Sequence, residues 1–264
     1  MERTQAAIAE LRDLCWLPPA ARPRVLVSSC LLGEAVRWDG RNKRHDGVRA
    51  VLAEFAEGVS ICPEVGSGMA VPRPPLLLAA NGAGATATDS VALVERDGGR
   101  DHSAALARFA AAALQTAAPL DGMVWKSKSP SCGPRGVAIG GATLPPPLTG
   151  PGLFVRHARR TLPGWPELEE TALAGRRGPL IGAAFRLACE WNLAWRLASA
   201  QWRSAATIAR FHRKLRGWWY GLDPRLLRRL ERAVAAGSAS AEAYAQLARG
   251  GLQARLAALQ RSAG

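Results

Sequence analysis

The sequence predicts an α/β domain with a mainly parallel sheet, followed by an all-helical part. Short β-branched segments alternate with helical segments up to about residue 165, which is typical of parallel strands joined by helices. After residue 176 only helical spacing of apolar residues is present. The segment GRRGP between these parts is typical of a linker. We therefore expect a three-layer α/β domain at 1–165 and a helical domain at 176–264.

The elements follow in order along the chain. The first 22 residues indicate an amphipathic helix and a Pro-rich link. Alternating apolar patterns and helix signals then predict strands at 24–28, 58–62, 91–95 and 121–126, and helices at 48–57, 101–118 and 153–164. The Pro- and Gly-rich segments 63–75 and 134–152 are predicted to be loops. Helical spacing predicts the last four helices at 180–200, 205–219, 224–235 and 239–259.

The composition is that of a globular protein, with 48% hydrophobic and 21% charged residues. No apolar run reaches the roughly 18–20 residues that a membrane span needs. The N-terminus lacks the apolar core of a signal peptide. We therefore expect a cytoplasmic protein with no membrane association, and nothing in the sequence suggests a stable protein partner.

Basic residues are concentrated towards the C-terminus. The net charge is +14, and residues 165–264 carry 16 Lys and Arg against 7 Asp and Glu. Such an excess attracts polyanions. The residues predicted to contact nucleic acid are Arg210, Arg213, Lys214, Arg216 and Arg228. A solvated basic face over a Trp-containing core, in a genome that favours Arg codons, explains the same residues equally well.

The five cysteines fall into two groups. Cys15 and Cys189 have apolar, helix-like neighbours and are predicted to be buried thiols. Cys30, Cys62 and Cys132 each lie at or after the end of a predicted strand. Because the carboxyl ends of parallel strands meet at one edge of a sheet, we expect these three to converge there. Three thiolates can hold three irons of a cubane cluster and leave the fourth iron open.

Two other interpretations of these cysteines remain open. Scattered cysteines are often only buried thiols. A zinc ion could also bind all three together with His45 or His102. No CxxC pair is present, so a zinc ribbon or a thioredoxin-type motif is not predicted.

Polar residues near the cysteines supply candidate catalytic groups. Glu64 lies two residues after Cys62 and could orient or deprotonate a water molecule. Ser129 and Ser131, in the segment SPSCG, could donate hydrogen bonds to a substrate. Alternatively, Glu64 could cap a helix or form a salt bridge, and the two serines could only stabilise a turn.

Four further residues are predicted to bind substrate at the same edge of the sheet. Ser29 is adjacent to Cys30, and Arg37 lies in the following turn. Arg73 is held between prolines, where it could meet a phosphate. Lys126, together with Lys128, adds positive charge after the last of the three strands.

The segments VSSCLLGEAVRWDG, VSICPEVGSGMAVPRPP and KSKSPSCG resemble the thiouracil desulfurase family over residues 24–164. This resemblance implies a [4Fe–4S] cluster on Cys30, Cys62 and Cys132. It also implies that the open iron takes the sulfur of a thiolated pyrimidine, while Glu64 and one serine of SPSC assist at the carbon.

The segment IARFHRKLRGWWYGLDPRLLRRLERAV, at 208–234, resembles the helical domain fused to the cluster domain in tRNA 4-thiouridine desulfidases, although it is shorter and richer in Arg. This resemblance implies 4-thiouridine in tRNA as the substrate. One alternative is an enzyme for free thiouracil or a thiouridine nucleotide. Another is a non-enzymatic nucleic-acid-binding or sensor protein with an iron–sulfur or zinc site.

Overall fold

The structure is a computed structural model that describes residues 2–80, 91–140, 148–197, 204–235 and 241–262. The strands are β1 (Arg24–Ser28), β2 (Glu57–Ile61), β3 (Leu76–Ala80), β4 (Val91–Glu95), β5 (Gly122–Trp125), β6 (Val137–Gly140), β7 (Thr149–Gly150) and β8 (Glu167–Glu169). The helices are α1 (Glu2–Leu14), α2 (Ser29–Leu32), α3 (Asp46–Phe55), α4 (Pro63–Gly66), α5 (Ser103–Ala117), α6 (Leu153–Thr161), α7 (Gly178–Leu197), α8 (Ala205–Leu222), α9 (Pro224–Ala235) and α10 (Ala241–Arg261). A 3-10 helix spans Glu170–Leu173.

The central sheet is fully parallel, with strand order β2-β1-β5-β8. Its strands are short and rich in Val, Leu and Ile, the composition of strands that are covered on both faces. Side chains alternate between the faces: Val25 and Val27 belong to one core, and Leu26 belongs to the other. Because β2, β1 and β5 are neighbours, the segments that follow their carboxyl ends lie next to each other.

Helices cover the central sheet on both faces, which confirms the predicted α/β class. One core joins the sheet to α3, α7 and the end of α10. The opposite core joins it to α5, α6 and a second, mixed sheet with strand order β4-β3-β6-β7. The second sheet pairs β3 with β4 and β6 with β7 in antiparallel fashion, and β3 with β6 in parallel.

The C-terminal helices form a third core together with the N-terminal helix. Residues of α1 pack against α7, α8, α9 and α10 in one apolar cluster. Its centre is aromatic: Trp191 packs within 5.2 Å of Phe211 and 5.7 Å of Trp219, measured between ring centroids. Burial of these apolar and aromatic side chains is the main contribution to the stability of such a bundle. Among the described residues, no helix is long and apolar enough to cross a membrane.

Most predicted elements are present, with differences at a few positions. The strands at 24–28 and 91–95 agree residue for residue. The predicted loop at 134–152 is wrong in part, because it contains β6 and β7, and β3 and β8 were not predicted. These strands are short and lie beside Pro and Gly, so local pattern did not distinguish them from loop. Positions 198–200 and 239–240 of two predicted helices lie outside the described residues.

The packing differs from the predicted domain limits at two points. Strand β8 extends the sheet beyond residue 165, and α1 packs with the C-terminal helices. Both follow from apolar contacts between distant parts of the chain, which local sequence does not reveal. The division into an α/β part and a helical part, at 1–165 and 176–264, stays a prediction.

Candidate functional site

A cavity of about 380 Å³ lies at the carboxyl ends of β2, β1 and β5. This is the edge of a parallel sheet at which ligands are expected. Its wall contains Ser28, Ser29, Cys30, Val36, Arg37, Trp38, Lys43, Ile61, Cys62, Pro63, Glu64, Arg73, Pro75, Leu76, Arg96, Lys126, Ser127, Lys128, Ser129, Pro130 and Cys132. The wall of this cavity therefore contains every site residue predicted in the α/β part, with the exception of Ser131.

The three cysteines reach the cavity from three neighbouring strands. Cys30 lies in α2, directly after β1, and Cys62 lies between β2 and α4. Cys132 belongs to the loop that follows β5. All three are free thiols, and all three line the cavity. Their convergence results from the strand order, because about 30 and 70 residues of chain separate them.

Burial makes thiolate charge unfavourable at these positions. It raises the pKa of Cys30 to about 11, and the neighbouring Cys62 thiol adds to this shift. Burial also raises the pKa of Cys62 and of Cys132. Two backbone N–H groups, of Glu64 and Val65, donate to the Cys62 sulfur and partly offset the effect. A bound cation would offset this cost, because cysteines bind metals as thiolates.

The loop that carries Cys132 is held by its own serine. The Oγ of Ser129 accepts hydrogen bonds from the backbone N–H of Ser131 at 3.3 Å and of Cys132 at 3.0 Å. The hydroxyl of Ser28, at the end of β1, forms a hydrogen bond with the Cys132 thiol, which opposes the increase in its pKa that burial causes. The loop is thus a turn closed by Ser129, and its sulfur contacts the end of β1.

Glu64 is held by donors from two other segments. The hydroxyl of Ser131 donates to Oε1 of Glu64 at 2.9 Å. Arg73 donates to Oε2 from Nε at 2.8 Å and from Nη2. Ser131 is fully buried and is not among the residues of the cavity wall. Charged hydrogen bonds of this kind hold the carboxylate firmly in place.

The guanidinium of Arg73 is occupied by protein groups. Besides Glu64, it donates to the carbonyl oxygens of Val36 at 2.9 Å and Ala70 at 3.2 Å. Arg37 also lies in the wall, with its Nε 3.4 Å from Oδ1 of Asp39. That buried Nε has no hydrogen-bond partner among the described residues.

Lys126 is bound to an acidic residue that the sequence analysis did not single out. Its ammonium donates to Oε1 of Glu170 at 2.8 Å and to the carbonyl and hydroxyl oxygens of Ser127, both at 2.9 Å. An ammonium has three hydrogens, so these contacts use all of them. Glu170 is buried and also accepts hydrogen bonds from the hydroxyl and N–H of Ser127. No local signal marks Glu170, which lies 44 residues from Lys126.

Further wall residues were also missed. Lys43 and Arg96 line the cavity and are exposed. Trp38 lines it with 43% of its surface exposed. These side chains come from loops and from the second sheet. The only sequence signal for Lys43 and Arg96 is their positive charge. In a chain with so many Lys and Arg residues, charge does not distinguish site residues from other surface residues.

The histidines of the zinc alternative have other roles. Nδ1 of His45 accepts from the N–H of Val48 at the start of α3, and Nε2 of His102 is 3.0 Å from Glu95. Neither lines the cavity. Within the described ranges, no group of three or more His, Cys, Asp or Glu side chains is placed to hold a single metal ion. The three cysteines share the wall of one cavity, without either histidine.

Residues 25–170 match the family model of 2-thiouracil desulfurase. This stretch is more than half of the chain, and it contains the whole cavity wall. The chain belongs to the 2-thiouracil desulfurase family. The resemblance that the three cysteine segments indicated is thereby confirmed.

Known proteins that are similar to this member of the 2-thiouracil desulfurase family include one from Bacillus subtilis and one with a solved structure. The uncharacterised protein YbbK of Bacillus subtilis is 30% identical over 131 residues, which are 49% of this chain and 85% of that protein. A solved structure of a [4Fe–4S]-dependent thiouracil desulfidase, TudS, has 30% sequence identity. It covers 56% of this chain and 91% of the solved one, with a TM-score of 0.44.

The predicted nucleic-acid-binding residues lie outside the segment that matches the 2-thiouracil desulfurase family. Arg210, Arg213 and Arg228 are exposed on α8 and α9, and none of them has an ion pair with any residue that the structure describes. Lys214 pairs with Glu10 at 2.6 Å, and Arg216 pairs with Glu231 at 2.9 Å. The basic face is thus present, with two of its five cations already neutralised in part.

Proposed function

We propose that this protein hydrolyses the carbon–sulfur bond of thiolated uracil, with 4-thiouridine in tRNA as substrate and a [4Fe–4S] cluster as cofactor. The observation that carries the proposal is the convergence of three free thiols on one cavity, from the ends of three adjacent parallel strands. Membership of the 2-thiouracil desulfurase family supports the same reaction.

The donor set fits the cofactor. Cys30, Cys62 and Cys132 would hold the cluster, while Cys15 and Cys189 are buried in separate apolar cores. Bound there, the cluster supplies a Lewis-acidic iron that can accept a soft sulfur ligand.

Glu64 is placed to act on water. Its carboxylate is held at one oxygen by Ser131 and at the other by Arg73. It can accept a further hydrogen bond, and it lines the cavity. In this role Glu64 orients the attacking water and accepts its proton as the oxygen adds to the thiocarbonyl carbon. We assign Arg73 and Ser131 to the positioning of Glu64.

Other wall residues would hold the pyrimidine. The hydroxyls of Ser129 and Ser29 can form hydrogen bonds to its polar edge, and exposed Trp38 can stack on a base. Arg37 adds positive charge to the wall, although its Nε lies 3.4 Å from Oδ1 of Asp39. Lys126 contributes positive charge rather than a donor, because Ser127 and Glu170 take its hydrogens. Exposed cations of the wall suit a phosphate, and these are Lys43, Arg96 and Lys128.

The tRNA part of the proposal is supported by the basic helices. The exposed Arg210, Arg213 and Arg228 can neutralise phosphates outside the cavity. Exposed Tyr220, with 65% of its surface accessible, offers a face for stacking beside them. A phosphate backbone that runs from the cavity to these helices would use both sets of cations.

A small-molecule substrate is the second candidate. The cavity of about 380 Å³ lies within the volume range of small-ligand pockets. The description of the matched family names 2-thiouracil, which is a small molecule. In that case the arginines of α8 and α9 have no part in the reaction, which gives a direct test.

The first experiment tests the cluster and the reaction together. Protein purified without oxygen is analysed for iron and acid-labile sulfide, and sulfide release is measured with 2-thiouracil, 4-thiouridine and thiolated tRNA. Replacing Cys30, Cys62 or Cys132 by Ala should remove both the cluster absorbance and sulfide release. Cys15→Ala removes a thiol outside the cavity and should keep both. Sulfide release that survives the three cavity substitutions would refute the proposal.

The second experiment separates tRNA from small substrates. The triple variant R210Q/R213Q/R228Q should bind tRNA more weakly and lower the slope of log affinity against log salt by about 2 to 3. Its rate with 2-thiouracil should not change.

The matched control removes three exposed arginines elsewhere, in the variant R49Q/R160Q/R176Q. It changes the net charge equally. Equal loss of tRNA binding in both variants would point to charge in general, and no loss in either would favour the small-molecule substrate.

A further inference from the structure

A chain of three side chains connects the cavity to solvent on the side of strand β2. Ser29 is buried and lines the cavity beside Cys30. Its hydroxyl is 2.7 Å from the hydroxyl of Ser60, and Ser60 donates to Oε1 of Glu34. Ser60 and Glu34 are both exposed. The three oxygens thus form a continuous path from the cavity wall to the surface.

The backbone holds this path in place. The N–H of Glu34 donates to the carbonyl of Ser29 at 3.3 Å, in the turn that ends α2. Gly33 has φ of 108° in that turn, a left-handed conformation that favours glycine. Ser60 belongs to β2 and is paired in register with Val27 of β1. Each member of the path is therefore fixed by a regular element or a defined turn.

The direction of the hydrogen bonds follows from the chemistry of the end group. A carboxylate only accepts, so Ser60 uses its single hydrogen on Glu34. Ser29 must then donate its own hydrogen to Ser60. The oxygen of Ser29 is left with lone pairs that can accept a hydrogen from the cavity. A water molecule or an N–H of a pyrimidine is such a donor.

We propose that Ser29, Ser60 and Glu34 form a proton relay that carries a proton from the cavity to solvent during hydrolysis. The inference rests on the proposed function, because hydrolysis of a thiocarbonyl creates the proton. The oxygen of water bonds to carbon, the carbon–sulfur bond breaks, and sulfur leaves as hydrosulfide with one of the two water protons. No atom changes its oxidation state in this sum. The second proton must leave the site.

The relay moves that second proton by exchange along the path. Ser29 accepts it while giving its own proton to Ser60, and Ser60 gives its proton to the carboxylate of Glu34, which returns it to solvent. A bound substrate would take the place of water in the cavity, whereas this path begins at a residue of the wall and needs no water in the cavity. Glu64, which takes the first proton from the attacking water, faces the same cavity as Ser29.

The variants that test the relay leave the cavity wall intact. Ser60→Ala removes the middle hydroxyl from an exposed position of an edge strand, and Ser60→Thr restores a hydroxyl there. Glu34→Gln keeps a hydrogen-bond acceptor but cannot take up the proton. Glu57→Gln is the matched control, because it makes the same charge change on β2 outside the path.

Proton release is measured in a single turnover with a pH-indicator dye, alongside kcat, KM, the solvent deuterium isotope effect and cluster absorbance. We expect Ser60→Ala and Glu34→Gln to slow proton release and kcat about 10-fold, with KM and absorbance unchanged. Ser60→Thr and Glu57→Gln should resemble the unmodified protein. Imidazole, a small diffusible proton carrier, should restore most of the lost rate in Ser60→Ala.

The outcomes separate the relay from the proposed function. If the unmodified protein releases no sulfide from any thiolated uracil, the proposed function fails and the relay fails with it. If it is active and Ser60→Ala and Glu34→Gln release protons at the unmodified rate, the relay alone is refuted. A lost rate that imidazole does not restore, or a changed absorbance, would show a structural role and would also refute the relay.

Discussion

Ser129 and Ser131 are two positions apart in the Cys132 loop, and they have different surroundings. Ser129 lines the cavity, and its oxygen accepts two backbone hydrogen bonds, which leaves its own hydrogen for a ligand. Ser131 is fully buried and spends its hydrogen on Glu64. The sequence left the choice between these serines open. The contacts support Ser129 as the substrate-facing hydroxyl and Ser131 as the residue that positions Glu64.

Substitution of each serine by Ala should therefore give different kinetic changes. Ser131→Ala should lower kcat about 10-fold with KM nearly constant, because Glu64 loses a fixed donor in every state. Ser129→Ala should chiefly raise KM for the thiolated pyrimidine. Steady-state rates of sulfide release, corrected for cluster content, measure both. A change mainly in KM for Ser131→Ala, together with a change mainly in kcat for Ser129→Ala, would contradict this division of roles.

At the scale of elements, the start of α6 supports the Cys132 loop. The N–H groups of Leu153 and Phe154 donate to the carbonyls of Pro130 and Ser131, at 2.9 and 3.0 Å. The first N–H groups of a helix have no partner within the helix, so this loop satisfies two of them. Gly152 lies at the contact, and a Cβ there would be 2.5 Å from the carbonyl oxygen of Ser131. The close approach requires glycine.

Gly152→Ala should therefore disturb the loop that carries Cys132. The backbone atoms it would meet cannot rotate away, so we expect a loss of about 2 kcal/mol in the free energy of unfolding. We also expect a lower iron content. Gly217→Ala is the control, because its Cβ would meet nothing within 4 Å on α8 and should stabilise by about 0.5–1 kcal/mol. Denaturant unfolding and iron analysis test both, and an unchanged iron content in Gly152→Ala would contradict the expectation.

At the scale of the whole molecule, α7 joins the α/β part to the helical part. Its residues Ile181 and Phe185 belong to the core against the sheet, and Trp191 belongs to the core of the helical bundle. Helix α7 and the end of α10 therefore cover one face of the sheet together with α3. A chain shortened at residue 175 would expose fully buried side chains such as Val25 and Val27, and we expect it to be unstable. Point substitutions on α8 and α9 are the better test of a role in tRNA binding.

The helical part also depends on an ion pair with the N-terminal helix. Glu190 of α7 is fully buried, and Arg12 of α1 donates to it from Nε at 3.0 Å and from Nη2 at 3.2 Å. Burial raises the pKa of the Glu190 carboxyl, an effect that Arg12 offsets only in part. Removal of Arg12 would leave a buried charge with Arg186 as its remaining cation, 3.9 Å away.

Arg12→Met should lower the free energy of unfolding by about 2–4 kcal/mol near neutral pH. Because the pKa of Glu190 is higher in the folded than in the unfolded state, protonation favours the folded state. Stability from that protonation is present at low pH and is lost as pH rises through the folded pKa. Arg12 lowers the pKa of Glu190, so removal of Arg12 raises that pKa further and the folded variant gains more from protonation at low pH. The deficit of the variant should therefore be smaller at about pH 5 than at about pH 7.5.

Urea unfolding at the two pH values measures this effect. Arg3→Met is the control on the same helix, because Arg3 is exposed and its loss should change stability by less than about 0.5 kcal/mol. A deficit of Arg12→Met that is independent of pH would refute the role given to Glu190.

Local pattern was sufficient for the α/β class, for the strands that precede Cys30, Cys62 and Cys132, and for the convergence of these cysteines at one sheet edge. Strand periodicity and strand-to-loop transitions are properties of a few adjacent residues, so they can be recognised in one sequence. Contacts across the chain determine the rest. Ser131 meets Glu64 across 67 positions, and Ser60 joins Ser29 across 31. Such hydrogen bonds depend on how the elements pack, and no local spacing encodes them.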